Sequence, residues 1–149
     1  MRLISHRGNV NGKIEESENN PEYIDDTLKM GYDVEIDVWF VENQFWLGHD
    51  KPQYEIDIEW LSKRSDRLWV HCKNKELVEY FVVNEWDTKE INWFWHEEDT
   101  LTLTSFGYIW VYPGKQPIKK SIAVLPELNN DDTSQCFGIC SDVIEKYKK

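Results

Sequence analysis

The chain is short of positive charge, of glycine and proline, and of cysteine. Seventeen Lys and Arg stand against twenty-eight Asp and Glu in 149 residues, a formal net charge of −11. That balance repels a polyphosphate backbone, and no basic stripe interrupts it, so a nucleic-acid binder is excluded. Seven Gly and five Pro are too few for a flexible or low-complexity chain. Cys72, Cys136 and Cys140 are odd in number and lack CxxC spacing, which predicts buried reduced thiols rather than a disulfide framework or a zinc site. No apolar run approaches the ~18 residues of a membrane span, and the amino-terminal apolar stretch is too short for an export signal. The expectation is a soluble, cytoplasmic protein without a transmembrane segment.

What the chain does have is core material: 40 % hydrophobic residues, including eight Trp, seven Tyr and six Phe. Its length predicts a single domain over residues 1–149. No internal repeat has a constant period, so organisation must come from alternating elements. Apolar, β-branched or aromatic runs at Arg2–Ser5, Asp33–Trp39, Gln44–Gly48, Arg67–Cys72, Ile91–Trp95, Gly107–Tyr112, Ser121–Leu125 and Cys136–Cys140 predict eight strands. Pro21–Met30, Ile56–Lys63, Lys75–Val83 and Asp142–Lys149 carry helical signals between and after them. Strands alternating with helices predict an α/β fold with a mainly parallel sheet. Eight strands suit a compact, irregular (β/α)8 TIM-type barrel, but such barrels typically use ~250 residues, so several helices must be missing or replaced by loops. His96–Phe106 and Pro113–Lys120 are read as loops, and the four residues Phe40–Asn43 are too short for a parallel crossover, so the strands they join form either a hairpin or a locally distorted barrel edge. An open doubly wound sheet is the alternative.

The chemistry gathers at the ends of these strands. All four histidines, His6, His49, His71 and His96, stand at or near the carboxyl end of a predicted strand. In a barrel those ends meet on one face, where active sites are built. Glu35-Ile36-Asp37 alternates along one strand, which puts both carboxylates on one side, about 7 Å apart along the strand. Two oxygen ligands so placed suit a hard divalent cation. A solvated acidic face is the simpler reading of the pair alone. Arg7 follows His6, and Lys73 lies two residues past His71, on the same side of an extended chain. With a cation, such a pair holds a phosphodiester and stabilises the charge that develops on its displacement. Ordinary salt bridges to nearby acids are the alternative. Glu127 and Asp142, past the seventh and eighth strands, are candidate ligands, caps or surface groups.

The motifs Ser5-His6-Arg7-Gly8, Glu18-Asn19-Asn20, Val34-Glu35-Ile36-Asp37-Val38 and Gly48-His49-Asp50 together resemble the glycerophosphodiester phosphodiesterase family. They match its HRG start, PENT-like segment, ExD pair and closing HD, over the first third of the chain. Val70-His71-Cys72-Lys73 lies where the family has an ExK strand, and Ile139-Cys140-Ser141-Asp142 looks like its closing strand. The resemblance implies a barrel of the phospholipase-C-like superfamily. In it Glu35 and Asp37 bind a divalent cation, His6 and His49 act as base and acid, Arg7 and Lys73 hold the phosphate, and Glu18 and Asn19 support the histidine and arginine. The implied cation is Mg²⁺ or Ca²⁺.

Three departures stand out. His71 replaces the family's third carboxylate ligand, and an imidazole admits Mn²⁺ or Zn²⁺. The family's insertion after the HD motif is missing, which removes the basis for glycerol specificity. His96-Glu97-Glu98-Asp99 adds groups the motif does not need, either further ligands or a solvated acidic loop. The resulting expectation is a metal-dependent phosphodiesterase acting on a small or lipid-derived phosphodiester, as a monomer or homodimer. Its alternatives are a non-catalytic barrel that binds a metal and an anionic phosphate or sugar-phosphate, and an aromatic-lined carbohydrate binder. The last is weakened because Trp39, Trp46, Trp69, Trp93, Trp95 and Trp110 all lie in predicted strands and suit a core.

Overall fold

The structure, a computed structural model, describes residues 1–149. It contains ten strands: β1 (Arg2–His6), β2 (Asp33–Val41), β3 (Gln44–Leu47), β4 (Tyr54–Ile56), β5 (Leu68–Cys72), β6 (Trp93–Phe94), β7 (Leu101–Leu103), β8 (Ile109–Val111), β9 (Ser121–Val124) and β10 (Gly138–Ser141). Three short helices accompany them, α1 (Pro21–Lys29), α2 (Ile58–Ser62) and α3 (Lys75–Val83). The sheet is mixed and curls into a half-barrel. Strands β6-β5-β2-β1-β10-β9-β8 run parallel in that order, while β3, β4 and β7 are antiparallel to their neighbours.

The expected TIM-type barrel is therefore incorrect. No α-helix lies between β6 and β10, and β2 turns straight into β3 through Glu42 and Asn43, both in the left-handed region with φ 50° and 62°. A two-residue turn of that kind makes a hairpin and leaves no room for a crossover helix. The doubly wound alternative fails as well, because Ile24 of α1, Leu61 of α2 and Leu77 and Phe81 of α3 all join one hydrophobic cluster. The carboxyl-terminal helix expected over Asp142–Lys149 is only a 3-10 turn at Ile144–Tyr147, and β4 and β7 were not anticipated.

Strand alternation separates two interiors. Val34, Ile36 and Val38 of β2, with Leu68, Val70 and Cys72 of β5, pack beneath the helices. The intervening residues face the concave side, where Ile4, Trp69, Phe94, Trp110, Ile122 and Cys140 form a second core. Of the six tryptophans assigned to a core, Trp69 and Trp110 are buried, whereas Trp95 is exposed. All three cysteines are free thiols, and no helix is long and apolar enough to cross a membrane.

On that concave side Glu35 lies in register with Trp69 and Asp37 with His71, so the polar groups of β2 and β5 adjoin the aromatic core. Local capping fixes the approach: the Asn20 side chain accepts from Glu22 N, and Pro21 opens α1 with a preset φ.

The chain end is locked by polar contacts. The Tyr32 hydroxyl donates to Glu145 and the Tyr147 hydroxyl to Glu127. Burial, followed by these carboxylates, pushes both phenols up to about 12. Unfolded tyrosine ionises near pH ~10. The folded chain therefore binds these protons more tightly, and the stabilisation is complete below pH ~10 and lost as pH rises through about 12. Melting temperatures measured from neutral to strongly alkaline pH will fall across that window, and less steeply in Tyr32→Phe.

Candidate functional site

The site begins in the turn after β1. Arg7 and Gly8 both have positive φ, 57° and 96°, and Asn9 N donates to the His6 carbonyl at 3.0 Å. The left-handed region is uncommon for arginine. It is held by Arg7 N donating to Glu35 O at 2.9 Å and by Asn19 N donating to Arg7 O at 3.1 Å. Gly8 is required on a second count, since a Cβ there would meet the Tyr23 ring at 2.6 Å.

On β2, Glu35 and Asp37 project to the concave side and are 2 % and 0 % exposed. Asp37 is surrounded: Asn19 Nδ2 donates to Oδ2 at 2.9 Å, Arg7 Nε lies 3.0 Å from Oδ2, and His71 Nδ1 lies 3.1 Å from Oδ1. The Asn19 carboxamide oxygen also accepts from Asp37 N at 2.9 Å. Burial opposes ionisation of Asp37, but the His71 hydrogen bond and the charges of Arg7, His71 and Lys73 outweigh it and hold the carboxyl below its ordinary range. Glu35 is the opposite case. Its Oε2 is buried without a hydrogen-bond partner, and burial and the Asp37 charge push its carboxyl up.

His6 is fixed through Nδ1, 2.8 Å from Asp142 Oδ1, with Nε2 3.8 Å from Glu35 Oε2. Asn9 Nδ2 donates to Asp142 at 2.8 Å and to Glu18 at 3.1 Å, and Tyr23 OH donates to Asn9 Oδ1 at 3.2 Å. Burial lowers the His6 pKa, but the Asp142 hydrogen bond and the Glu35 charge reverse this and leave it raised. His49 is brought in by the hairpin: β3 runs back along β2, and Gly48 N donates to Asp37 O at 3.1 Å. Burial and then Arg7 lower the His49 pKa. His49 and His6 thus meet the same cavity with opposite proton preferences.

That cavity, of about 480 Å³, is lined by all four histidines together with Arg7, Glu35 and Lys73. The expected convergence of the imidazoles therefore occurs, although no barrel produces it. His96 stacks on His71 with ring centroids 4.4 Å apart, and burial, then the His71 charge, lowers its pKa. Glu18 and Asn19 brace the site from behind. Asp142 joins it through His6, whereas Glu127 is turned away, accepting from Ser141 Oγ at 2.8 Å and from Tyr147 OH. Asn9 and Tyr23 were missed by sequence reasoning; the position of Asn9 directly after His6-Arg7-Gly8 was the available signal. The wall formed by Trp95, Trp110, Tyr112, Leu125 and Leu128 was missed too.

The ligand atoms of Glu35, Asp37 and His71 lie within 4.8 Å of one another, so this group can hold a metal ion. The buried, unpartnered Glu35 Oε2 fits a cation. His71 Nδ1 fits as well, being 3.9 Å from Glu35 Oε1 and 3.1 Å from Asp37 Oδ1, between the two carboxylates. A second set, His6, Glu18 and Asp142, has similar spacing, but the Asn9 amide already spans its two carboxylates. Compared with protein-family models, curated proteins and solved structures, the chain matches none of them.

Gly48 sets the position of His49. A Cβ at Gly48 would lie 2.0 Å from the Lys51 carbonyl oxygen, and its φ of 154° is unfavourable to other residues. Gly48→Ala is expected to cost about 2–4 kcal/mol in a denaturant titration and to displace the imidazole.

Proposed function

We propose that the protein is a divalent-metal-dependent phosphodiester hydrolase of the glycerophosphodiester type. The observation that carries this reading is the grouping of an incompletely satisfied carboxylate, two cationic side chains and two separately anchored histidines around one cavity. The HRG, ExD and HD motifs support it.

Glu35, Asp37 and His71 would hold the cation, which when bound supplies positive charge to the phosphoryl oxygens. Mg²⁺ or Ca²⁺ suits the two carboxylates, and Mn²⁺ or Zn²⁺ suits the set with its imidazole. Arg7 and Lys73 bind the phosphate and oppose the charge that builds on it. Arg7 is held against Asp37 at 3.0 Å through Nε and borders the cavity, so its guanidinium is placed where an anion would meet it. Water adds its oxygen to phosphorus while one imidazole of the His6/His49 pair takes the proton that water loses. The P–O bond to one alcohol breaks, and the other imidazole protonates the departing oxygen, leaving a phosphomonoester and an alcohol.

A non-catalytic module that binds a metal and an anionic phosphate ligand is the second reading. It is favoured by Asp37, whose two oxygens are engaged by Arg7, Asn19 and His71. The test is hydrolysis of bis(p-nitrophenyl) phosphate by metal-stripped protein with Mg²⁺, Ca²⁺, Mn²⁺ or Zn²⁺ restored. Release of nitrophenol that needs a cation and is lost in His49→Ala is expected. Cation and phosphate binding without turnover would replace the enzyme with the binding module.

A further inference from the structure

The outer side of α3 carries apolar side chains that the fold does not use. Leu77 and Phe81 are buried in the core beneath the helix, whereas Val82, Val83 and Trp86 are 57 %, 72 % and 80 % exposed. A groove of about 440 Å³ opens beside them, with the buried or half-buried Phe81, Ile91 and Trp93 as its floor and Val82, Trp86 and Phe106 at its rim. None of these residues lines the histidine cavity, so docking here is independent of the hydrolase reading.

Ordered turns hold both aromatic rim residues. Asn84 O accepts from Asp87 N at 3.0 Å and from the Thr88 hydroxyl at 2.9 Å, and Asn84 Nδ2 donates to Tyr80 O at 2.9 Å, which fixes the turn that presents Trp86. Phe106 sits at a hairpin tip closed by Gly107 N donating to Thr104 O at 2.8 Å. Ser105 N donates to Trp93 O at 2.7 Å, and Ser105 Oγ accepts from Trp93 N at 3.0 Å, so the free edge of β6 is already taken. Strand addition is closed there, and an apolar groove with preset walls suits an inserted helix. Anchors that are ordered beforehand lose little freedom when they are covered.

The neighbouring surface of α3 is acidic. A depression of about 360 Å³ is lined by Glu42, Glu76 and Glu79 beside Tyr80 and Val83, with no Lys or Arg among its residues. Glu85 stands on the groove itself, where Lys89 is the one cation. None of these four glutamates is in an ion pair. Glu76 and Glu79 precede Val82 by one to two helical turns, roughly 5–9 Å along the axis.

We propose that this face of α3 docks an amphipathic helix of another protein, with apolar side chains in the Val82–Trp86–Phe106 groove and Lys or Arg against Glu76 and Glu79. Large apolar side chains left uncovered together mark an interaction surface, and tryptophan is a favoured anchor of one. Unpaired acids beside the groove select a cationic partner. A second copy of the chain is the poorer occupant, because it brings a net charge of −11 and the same glutamates to the contact.

The probe is a dye-labelled peptide of two LKKLLKL repeats, titrated against the full chain by fluorescence anisotropy at two salt concentrations. Peptides of LEELLEL and SKKSSKS repeats are its controls. The leucine–lysine peptide is expected to bind about tenfold or more tightly than either control. Trp86→Ala, at a position 80 % exposed, should leave the melting temperature unchanged. The same variant should weaken binding about tenfold, as loss of an anchor does. Glu76→Gln combined with Glu79→Gln should weaken it severalfold and flatten its salt dependence. Glu15→Gln combined with Glu16→Gln removes equal charge from a different cavity and should leave the affinity unchanged. No binding of the leucine–lysine peptide, or binding untouched by Trp86→Ala, would overturn the proposal. So would an equal loss in the two double variants. A dimer in sedimentation velocity that Trp86→Ala disperses would overturn it too, by making a second copy the occupant.

Discussion

His6→Ala is expected to lower phosphodiester turnover by about 10²- to 10⁴-fold, the range for loss of a positioned acid–base group, while the chain stays folded. The first half follows from the position of His6 in the cavity with Arg7, Glu35 and His49. The second follows from what the substitution leaves behind. His6 belongs to none of the three hydrophobic clusters, and Asp142 keeps its hydrogen bond from Asn9. No buried carboxylate is therefore stripped of every partner. Circular dichroism and thermal melting should match the unaltered protein to within a few degrees. Turnover in His6→Ala equal to that of the unaltered protein would remove the two-histidine mechanism.

Glu35→Gln is expected to raise the melting temperature of the metal-free protein and to abolish its response to metal. Glu35 is buried beside Asp37, with one oxygen unpartnered. Burial and the Asp37 charge lift its carboxyl above the usual value, so the ionised group destabilises the fold at neutral pH. Glutamine keeps the shape and removes the charge. In the unaltered protein a bound cation would supply the missing partner, and at a hundredfold excess over Kd it would stabilise by about 2.7 kcal/mol. For a chain of this size that is roughly 5–10 °C. Calorimetric melts with chelator and with Mn²⁺ measure both effects. An undiminished metal-induced rise in Glu35→Gln would place the cation elsewhere.

The two carboxylates were legible because a strand has only two faces. Asp33, Glu35 and Asp37 could not share a side with Val34, Ile36 and Val38, and the apolar set belongs beneath helices whose own periodicity is plain. The meeting of His6, His49, His71 and His96 was legible for a related reason, since all four end or follow short apolar runs. The closed barrel around them was not legible. His49 arrives by an antiparallel hairpin, one of the two arrangements the short Phe40–Asn43 connection allows, made by the left-handed Glu42 and Asn43; Asn suits such a turn, but the usual glycine is missing. Strands of three residues, Tyr54–Ile56 and Leu101–Leu103, are too short to display an alternation. Glu127 looked like a ligand by its place after a strand, but Leu125, with φ 44°, leads into a 3-10 turn in which Glu127 bonds Ser141 and Tyr147. The apolar wall had no sequence signature, because Trp95, Tyr112 and the Leu125–Leu128 turn come from separate stretches with no common spacing.

The most direct measurement is the ³¹P NMR spectrum of an alkyl glyceryl phosphate incubated with the metal-stripped protein, before and after restoring each divalent cation. Cation-dependent conversion of the diester resonance to a phosphomonoester resonance, absent from both His6→Ala and Glu35→Gln, is the predicted result. A diester resonance that stays unchanged with every cation, or a conversion that survives either substitution, would contradict the account.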